Sequence, residues 1–304
     1  MKICTISPNE NWILDRIKKE WDHYTRPYST QNFFEADILW FLDNNSWKNY
    51  VRTPQNNIMK SPIFIQQVNH IVPQKFSLRE FQFRDQFVNA YLVPCQKTHD
   101  AIRPYTKKQI DILGYWFNPD AWKPYDKDEA REELGLPKED YIIGSFQRDT
   151  EGGDLKSPKL EKGPDRFLKY IEKIEKDKHI LLGGWRRQYV INGLERLKTK
   201  YSYIEMAPIE TLRKMYAACD LYIVSSRYEG GPQAILECAA TKTPIISTDV
   251  GVASDILSPK CIVDLENEIY YTSQKDVEYN YRSVHNYTPD KQTKKYIEYF
   301  ERFI

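Results

Sequence analysis

Cysteine is scarce in this sequence, and the few cysteines show no pairing pattern. Five are spread over 304 residues, and no two follow the CxxC spacing. This excludes a disulfide-rich scaffold and a cysteine-based zinc site. Isolated cysteines are typical of reduced thiols, so we predict a cytoplasmic protein.

Long apolar runs and an excess of one charge are also missing. No apolar stretch approaches the ~18 residues that span a bilayer, and the N-terminal MKICTISPNENW is too polar for a signal peptide. Lys and Arg number 44 against 43 for Asp and Glu, so there is no cationic surplus for many contacts to a nucleic acid backbone. We expect no nucleic-acid partner and no transmembrane segment. Peripheral contact with a membrane stays open.

The sequence does contain 41% hydrophobic residues, which is enough for two domains with cores of their own. In the second half, short apolar runs alternate with segments of helical period. The predicted strands there are 141–146, 179–182, 203–206, 221–225 and 244–247. This alternation predicts an α/β fold with a parallel sheet, which binds ligands at the carboxyl ends of its strands.

The first half repeats the pattern less regularly. Its predicted elements are strands at 2–6, 62–68 and 87–93, a helix at 12–21, and 37–42 as either a strand or a helix end. Prolines mark a linker around 115–140. We predict an N-terminal domain over 1–120, a second over 121–288 with a cleft between them, and a helix at 289–304 that could pack back on the first domain.

Residues 221–246, LYIVSSRYEGGPQAILECAATKTPII, are the most informative segment. A strand, an acidic glycine loop and a helix predicted at 232–241 follow one another, with Pro232 at the helix start. Backbone amides at such a helix N-terminus favour phosphate or sugar hydroxyls. Glu237 lies in an apolar part of this helix, where an unpaired carboxylate is costly. We therefore interpret it as a ligand-binding residue and not as a solvated one.

Glu229 and Glu237 stand eight positions apart in this strand–loop–helix context. The arrangement resembles the E-x7-E motif of the retaining, nucleotide-sugar-dependent glycosyltransferases of the GT-B fold, which have two Rossmann-like domains. The resemblance implies that Glu229 lies beside the donor sugar at the reaction centre and that Glu237 binds the nucleotide ribose. It also implies that loop amides hold sugar hydroxyls and phosphate, namely those of Gly230, Gly231 and Gln233, since Pro232 has no N–H.

Residues 141–163, YIIGSFQRDTEGGDLKSPKLEKG, are similar to the family's strand–Arg–loop–Glu-Lys-Gly segment. The resemblance implies that Arg148 and Lys162 hold the donor diphosphate, where the negative charge of the leaving group must be neutralised. Lys156 and Lys159 of the same loop are better explained as solvated side chains. Whether the long loop over 148–161 closes over the donor stays open.

Three weaker similarities complete the resemblance. IEMAPI at 204–209 resembles the strand end against which the nucleobase rests, which makes Ile209 a base-contact candidate. DVGVASDIL at 249–257 resembles a glycine-containing turn and keeps Gly251. PIFIQQVNHIVP at 62–73 resembles a strand-to-loop step that carries a histidine near the donor sugar. His70 is that candidate, with an ordinary loop histidine as an equal alternative.

The resemblance implies a retaining transfer of a sugar from a nucleoside-diphosphate sugar to an acceptor hydroxyl, in glycan or glycoconjugate synthesis. The acceptor would be a sugar, a glycan or a lipid-linked molecule. The N-terminal domain is short for this family, so acceptor-side elements are trimmed. No metal and no other cofactor is expected, because no DxD pair lies in a suitable loop and cations can neutralise the diphosphate. The alternatives are an epimerase or phosphorylase of the same fold, and a catalytically silent scaffold that binds a partner.

Overall fold

The computed structural model describes residues 1–10, 13–48 and 62–304, and the chain divides into two units. The first unit combines Met1–Trp116 with Tyr287–Ile304, and the second is Phe117–Asn286. The helix Pro289–Glu301, hereafter the C-terminal helix, therefore belongs to the first unit together with the N-terminal elements.

The first unit contains a parallel five-stranded sheet in the order β1-β2-β3-β4-β5. Its strands are β1 (Ile3–Ile6), β2 (Ile38–Phe41), β3 (Ile63–Gln67), β4 (Ala90–Val93) and β5 (Gln109–Ile112). Further α-helices of this unit are α1 (Ile13–Tyr24), α2 (Leu78–Asp85) and α3 (Gln96–Ile102).

Alternate side chains of β2 enter two separate cores. Ile38 and Trp40 pack in the core that contains Trp21 of α1, whereas Leu39 and Phe41 pack on the opposite face. This burial on both faces explains the continuous apolar run ILWF, and it decides in favour of a strand at 37–42. The C-terminal helix covers the first core, where the rings of Trp40 and Tyr296 lie 5.0 Å apart.

The second unit contains a parallel five-stranded sheet in the order β10-β9-β6-β11-β12. Its strands are β6 (Tyr141–Ser145), β9 (Lys178–Gly183), β10 (Lys200–Ile204), β11 (Leu221–Val224) and β12 (Ile245–Ser247), and a separate antiparallel pair joins β7 (Thr150–Glu151) to β8 (Ser157–Pro158). Its α-helices are α4 (Lys127–Glu133), α5 (Pro164–Glu172), α6 (Gln188–Leu197), α7 (Ile209–Ala218), α8 (Gln233–Ala240), α9 (Ala253–Ile256) and α10 (Gln274–Val284).

The order of strands in this sheet creates a switch point between β6 and β11. From β6 the chain builds β9 and β10 on one side, and it then crosses to build β11 and β12 on the other. In open α/β sheets, ligands bind outside the carboxyl ends of the strands at such a reversal. The loops that follow β6 and β11 are therefore where a ligand site is expected.

Three sequence predictions in the second unit need correction. The strand predicted at 203–206 is β10, Lys200–Ile204. It lies at the edge of the sheet and is half-exposed, so its first residues are polar and do not form an apolar run. The helix predicted at 232–241 begins at Gln233, with Pro232 as its N-cap. The linker predicted at 115–140 contains α4, whose first amides are capped by the Asp126 carboxylate.

In the first unit, the helix predicted at 12–21 is α1, although residue 12 lies outside the described residues. Its predicted strands are also confirmed, with ends that differ by one to three residues. Within the described ranges, no helix is both long enough and apolar enough to cross a bilayer.

Candidate active site

Two loops meet at the switch point of the second unit. One leads from β6 to α5 and carries Lys162, and the other leads from β11 to α8 and carries Glu229. Lys162 Nζ lies 2.5 Å from Glu229 Oε1, in an ion pair whose carboxylate side chain is 8% exposed and whose lysine side chain is 20% exposed. The structure thus brings together a cation and a carboxylate that the sequence predicted for the diphosphate and for the donor sugar.

Glycine permits this approach of the two loops. Gly163, which follows Lys162, has φ +64, and a Cβ there would lie 1.9 Å from the carbonyl oxygen of Ser225. Only glycine fits such a left-handed conformation at so short a distance from backbone. Ser225 Oγ also donates to the Lys162 carbonyl at 3.1 Å, which fastens the end of β11 to the lysine loop.

An arginine provides a second fastening between the loops. Arg227 donates from Nη1 and Nη2 to the two carboxylate oxygens of Asp165, at 2.8 and 2.7 Å, and its backbone N–H donates to the Glu161 carbonyl. Burial by itself would raise the pKa of Asp165, but hydrogen bonding and charge from Arg227 hold it below its ordinary value. Arg227 lies two residues before Glu229, and Asp165 lies three residues after Lys162. The pair therefore holds the two loops together close to both residues.

Polar side chains surround the ion pair. Ser226 Oγ lies 2.9 Å from Glu229 Oε1, and Gln147 Nε2 donates to the Lys162 carbonyl at 2.9 Å. The same Ser226 hydroxyl lies 3.4 Å from Gln147 Oε1. Hydrogen bonds therefore connect the end of β6 with both loops.

The glycine loop after Glu229 is supported from β12. Gly251, in the turn that follows β12, has φ +53, and a Cβ on it would lie 2.1 Å from the Gly230 carbonyl oxygen. Gly231 and Pro232 then lead into α8, whose first residue is Gln233, a buried side chain. The Pro232 N-cap makes no side-chain capping bond. The backbone amides of the first turn therefore have no cap from this residue.

Glu237 is the fifth residue of α8 and is buried. Tyr216 of α7 donates its hydroxyl to Glu237 Oε2 at 2.7 Å. Burial and the neighbouring carboxylate raise the pKa of the Tyr216 phenol, so it remains a donor. The sequence indicated a costly apolar environment for Glu237, but nothing in it identified Tyr216 as its partner.

The other predicted residues lie at strand ends or helix starts. Arg148 follows β6 by three residues, and its Nε donates to the Thr150 carbonyl at 3.0 Å. Ile209 opens α7 five residues after β10, so it does not lie on the strand end that the resemblance suggested. His70 belongs to the first unit, three residues beyond the carboxyl end of β3. The binding and catalytic roles of all these residues stay predictions.

Sequence reasoning missed a buried ion pair beside this site. Arg187 and Asp149 are both almost wholly inaccessible, and Arg187 Nε donates to Asp149 Oδ2 at 2.5 Å. Arg187 also donates to the Ser145 and Gly183 carbonyls at the ends of β6 and β9. In sequence, Arg187 follows another arginine in a polar loop, which is typical of a solvated segment, and no spacing signal marks the pair.

Part of the second unit matches a known protein family. Residues 153–278 match the family of glycosyl transferases group 1. The matched segment includes Lys162, Glu229 and Glu237, and it begins after Arg148. The predicted resemblance to GT-B nucleotide-sugar glycosyltransferases is confirmed.

Two curated proteins align with about half of the chain. The alpha-galactosylglucosyldiacylglycerol synthase of Streptococcus pneumoniae is 25% identical over 164 residues, which cover 50% of this chain and 41% of that protein. The lipopolysaccharide core biosynthesis mannosyltransferase LpsB of Rhizobium meliloti is 26% identical over 145 residues, covering 44% and 39%. The chain thus spans about two fifths of the length of these relatives.

A solved structure matches over the whole chain. HepE of Anabaena, crystallised with UDP and glucose, superposes with a TM-score of 0.79 at 12% identity, covering 99% of this chain and 100% of that one. At this identity the likeness establishes the fold alone. The predicted class, an α/β GT-B-like fold of two Rossmann-like domains, is confirmed, while the cleft between them stays a prediction.

Proposed function

We propose that this protein is a retaining glycosyltransferase that transfers a sugar from a nucleoside-diphosphate sugar, and specifically a UDP-sugar, to an acceptor hydroxyl. The observation that carries the proposal is the Lys162–Glu229 pair at the switch point of the second unit. It lies within the segment that matches the group 1 family. The uracil base is proposed because HepE, which has the same fold, was crystallised with UDP and glucose.

The charges of the site suit a diphosphate leaving group. Lys162 and Arg148 would neutralise the charge that develops as the sugar–phosphate bond breaks. The amides at the start of α8 add the positive end of a helix dipole, through Gly230, Gly231 and Gln233. Glu237 would accept hydrogen bonds from the ribose, and Ile209 would contact the base.

Retention of configuration requires the acceptor to attack the face that the diphosphate leaves. The bond from C1 to the phosphate oxygen breaks, and a bond from C1 to the acceptor oxygen forms. The acceptor proton passes to the departing diphosphate, so the products are the glycoside and UDP. Glu229 orients the donor sugar in this scheme and forms no covalent bond to it.

We propose further that transfer needs no metal ion and no other cofactor. The cations named above supply the charge that a divalent ion provides elsewhere. In the described ranges, no three His, Cys, Asp or Glu side chains cluster closely enough to hold a metal. The test is transfer in the presence of EDTA: activity should persist, whereas complete loss that added metal restores would refute metal independence.

The acceptor is proposed to be a sugar, a glycan or a lipid-linked molecule, and the location cytoplasmic. The names of the two curated relatives, an alpha-galactosylglucosyldiacylglycerol synthase and a lipopolysaccharide core biosynthesis mannosyltransferase, support a glycoconjugate product. No nucleic acid is proposed as a partner, since the formal net charge is +1.

The experiment has two stages. First, thermal unfolding is followed with UDP-, GDP- and ADP-sugars; a bound donor at 100 times its Kd adds about 2.7 kcal/mol to the free energy of unfolding. Second, the anomeric configuration of the product is read by NMR against that of the donor. Inversion would exclude the retaining mechanism. A product formed from donor alone indicates an epimerase, one that requires inorganic phosphate indicates a phosphorylase, and donor binding without turnover indicates a silent scaffold.

A further inference from the structure

Arg148 has a hydrogen-bonding edge available for a ligand. Its Nε donates to the Thr150 carbonyl, and its guanidinium carbon lies 5.0 Å from the ring centroid of Trp185. Among the residues that the structure describes, its two terminal nitrogens make no hydrogen bond. In contrast, Lys162 is paired with Glu229, Arg187 with Asp149, and Arg186 donates to the Gly152 carbonyl. Arg148 is therefore anchored through Nε, while its two terminal nitrogens can donate to a ligand.

Trp185 is an exposed aromatic side chain at the same edge of the sheet. It follows β9 by two residues, next to β6, and 42% of its surface is accessible. It is not part of either hydrophobic core cluster of the second unit, so core packing does not explain its position. Its clearest contacts are with two guanidinium groups, those of Arg148 and, at 4.4 Å, Arg186.

The backbone fixes Trp185 relative to Arg148. The N–H groups of Asp149 and Thr150 both donate to the Arg186 carbonyl, at 3.3 and 3.1 Å. The buried Arg187–Asp149 pair joins the same two loops. Arg148 and Trp185 are each adjacent in sequence to a residue that is bonded to the other loop, so the backbone holds the two side chains within reach of each other.

We propose that Trp185 is a positioning residue for Arg148. Its ring holds the guanidinium plane, so that the terminal nitrogens point at the donor diphosphate before the donor arrives. Arginine stacks on aromatic faces and binds phosphate through a rigid fork, so a fixed plane loses less side-chain freedom on binding. This inference rests on the proposed function, because it requires the diphosphate of a nucleotide sugar at Arg148.

The experiment is a double-mutant cycle on nucleotide affinity. Binding of UDP, UMP and uridine is measured by calorimetry for the full-length wild type, Trp185→Ala, Arg148→Ala and the double variant. We expect Arg148→Ala to weaken UDP about 10- to 100-fold. Trp185→Ala alone should weaken UDP about 2- to 5-fold, the effect of one exposed cation–π contact. It should have no further effect once Arg148 is absent.

Two control variants separate positioning from structural damage. Trp185→Phe keeps a ring and should restore most of the UDP affinity. Tyr279→Ala removes a similarly exposed ring, 46% accessible, from α10, and should leave UDP affinity unchanged. Melting temperatures of the two alanine variants should be similar.

The outcomes are distinct. Equal effects of Trp185→Ala with and without Arg148 overturn the inference, as does an equal loss of uridine affinity, which would indicate contact with the base. If Arg148→Ala leaves UDP affinity unchanged, both the role of Arg148 and this inference are wrong, while the proposed function still stands on Lys162. If the wild type binds no nucleotide, the proposed function itself fails.

Discussion

Lys162 and Glu229 are 67 positions apart in the chain, yet their charged atoms lie 2.5 Å from each other. Each therefore neutralises the other. Under the proposed function, a donor diphosphate would offer Lys162 a second anion, so the amine could shift towards the phosphate without becoming an unpaired charge. The Glu229 carboxylate would then be available to the sugar hydroxyls.

Lys162→Ala should weaken UDP binding about 10- to 100-fold, because one charged hydrogen bond is worth roughly 1.5–3 kcal/mol. Calorimetric titration with UDP measures the change. Lys156→Ala is the matched control: this lysine belongs to the same loop but is exposed, and its removal should alter affinity by less than about twofold. Equal losses in the two variants would show that overall loop charge, and not a specific clamp, attracts the nucleotide.

Glu237→Ala should reduce nucleotide affinity more than it slows transfer, because a ribose contact is the same in the ground and transition states. The expected cost is about 1.5–3 kcal/mol. Comparing Kd for UDP with kcat for transfer measures both effects. Tyr216→Phe removes only the 2.7 Å hydrogen bond to the carboxylate and should give a smaller loss in the same direction. Unchanged affinity for UDP in Glu237→Ala would remove this residue from the ribose site.

His70→Ala should lower kcat far more than it weakens donor binding, if the imidazole acts on a donor or acceptor oxygen as charge develops. A neutral imidazole has one ring nitrogen that donates and one that accepts a hydrogen bond. Turnover and melting temperature are measured on the same variant. Normal turnover with a lowered melting temperature would favour the alternative of a loop histidine.

Gly163→Ala should destabilise the protein strongly. A Cβ at this position would lie 1.9 Å from a backbone oxygen, and the residue has φ +64. Gly135 provides a matched control, because it has φ +63 but no atom within 4 Å of the added carbon. Gly135→Ala should cost only the left-handed strain, about 1–2 kcal/mol, and Gly163→Ala should cost more. Denaturant unfolding of both variants gives the comparison, and similar values would contradict the clash.

Asp276 should make stability depend on pH in the acid range. Burial by itself would raise its pKa, but hydrogen bonds from Ser258, Ser273 and Tyr270 bring it below its ordinary value. A carboxyl group with a lowered folded-state pKa stabilises the fold above its unfolded value of about 3.9, and this contribution disappears as pH falls through the folded value. The melting temperature of Asp276→Asn should therefore lie below that of the wild type near neutral pH, with a gap that closes in acid.

A control for this prediction is Glu210→Gln, which changes a carboxylate on α7 that is 77% exposed. Its melting temperature should follow that of the wild type at every pH. A gap for Asp276→Asn that stays constant down to about pH 2.5 would mean that the carboxylate charge is not what stabilises this region.

Some features were predictable because they depend on local patterns. Buried parallel strands read as apolar runs, which located β6, β9, β11 and β12 within a residue or two. The two glutamates and the lysine were found because the family resemblance assigns them. In contrast, the predicted position of β10 was wrong by two to three residues, because this edge strand is half-exposed and has no apolar run.

Other features depend on contacts between distant residues, which a single sequence does not record. The partnership of Arg187 with Asp149, the hydrogen bond from Tyr216 to Glu237, and the contact of Trp185 with Arg148 each join separate elements. In the sequence, Arg187 and Trp185 belong to a polar loop, and Tyr216 is one ring among 22 tyrosines. Only the fold shows that these residues surround the predicted loops.

The membership of the C-terminal helix in the first unit has a consequence for biosynthesis. Tyr296, Tyr299 and Phe300 fill the same core as Trp21 and Trp40. A ribosome makes the whole second unit before it adds these three rings. The first unit is thus begun first and completed last, and a nascent chain carries its open apolar core for as long as the second unit is being translated. Chaperone capture should therefore concentrate on this early segment, and it should end once the final helix emerges.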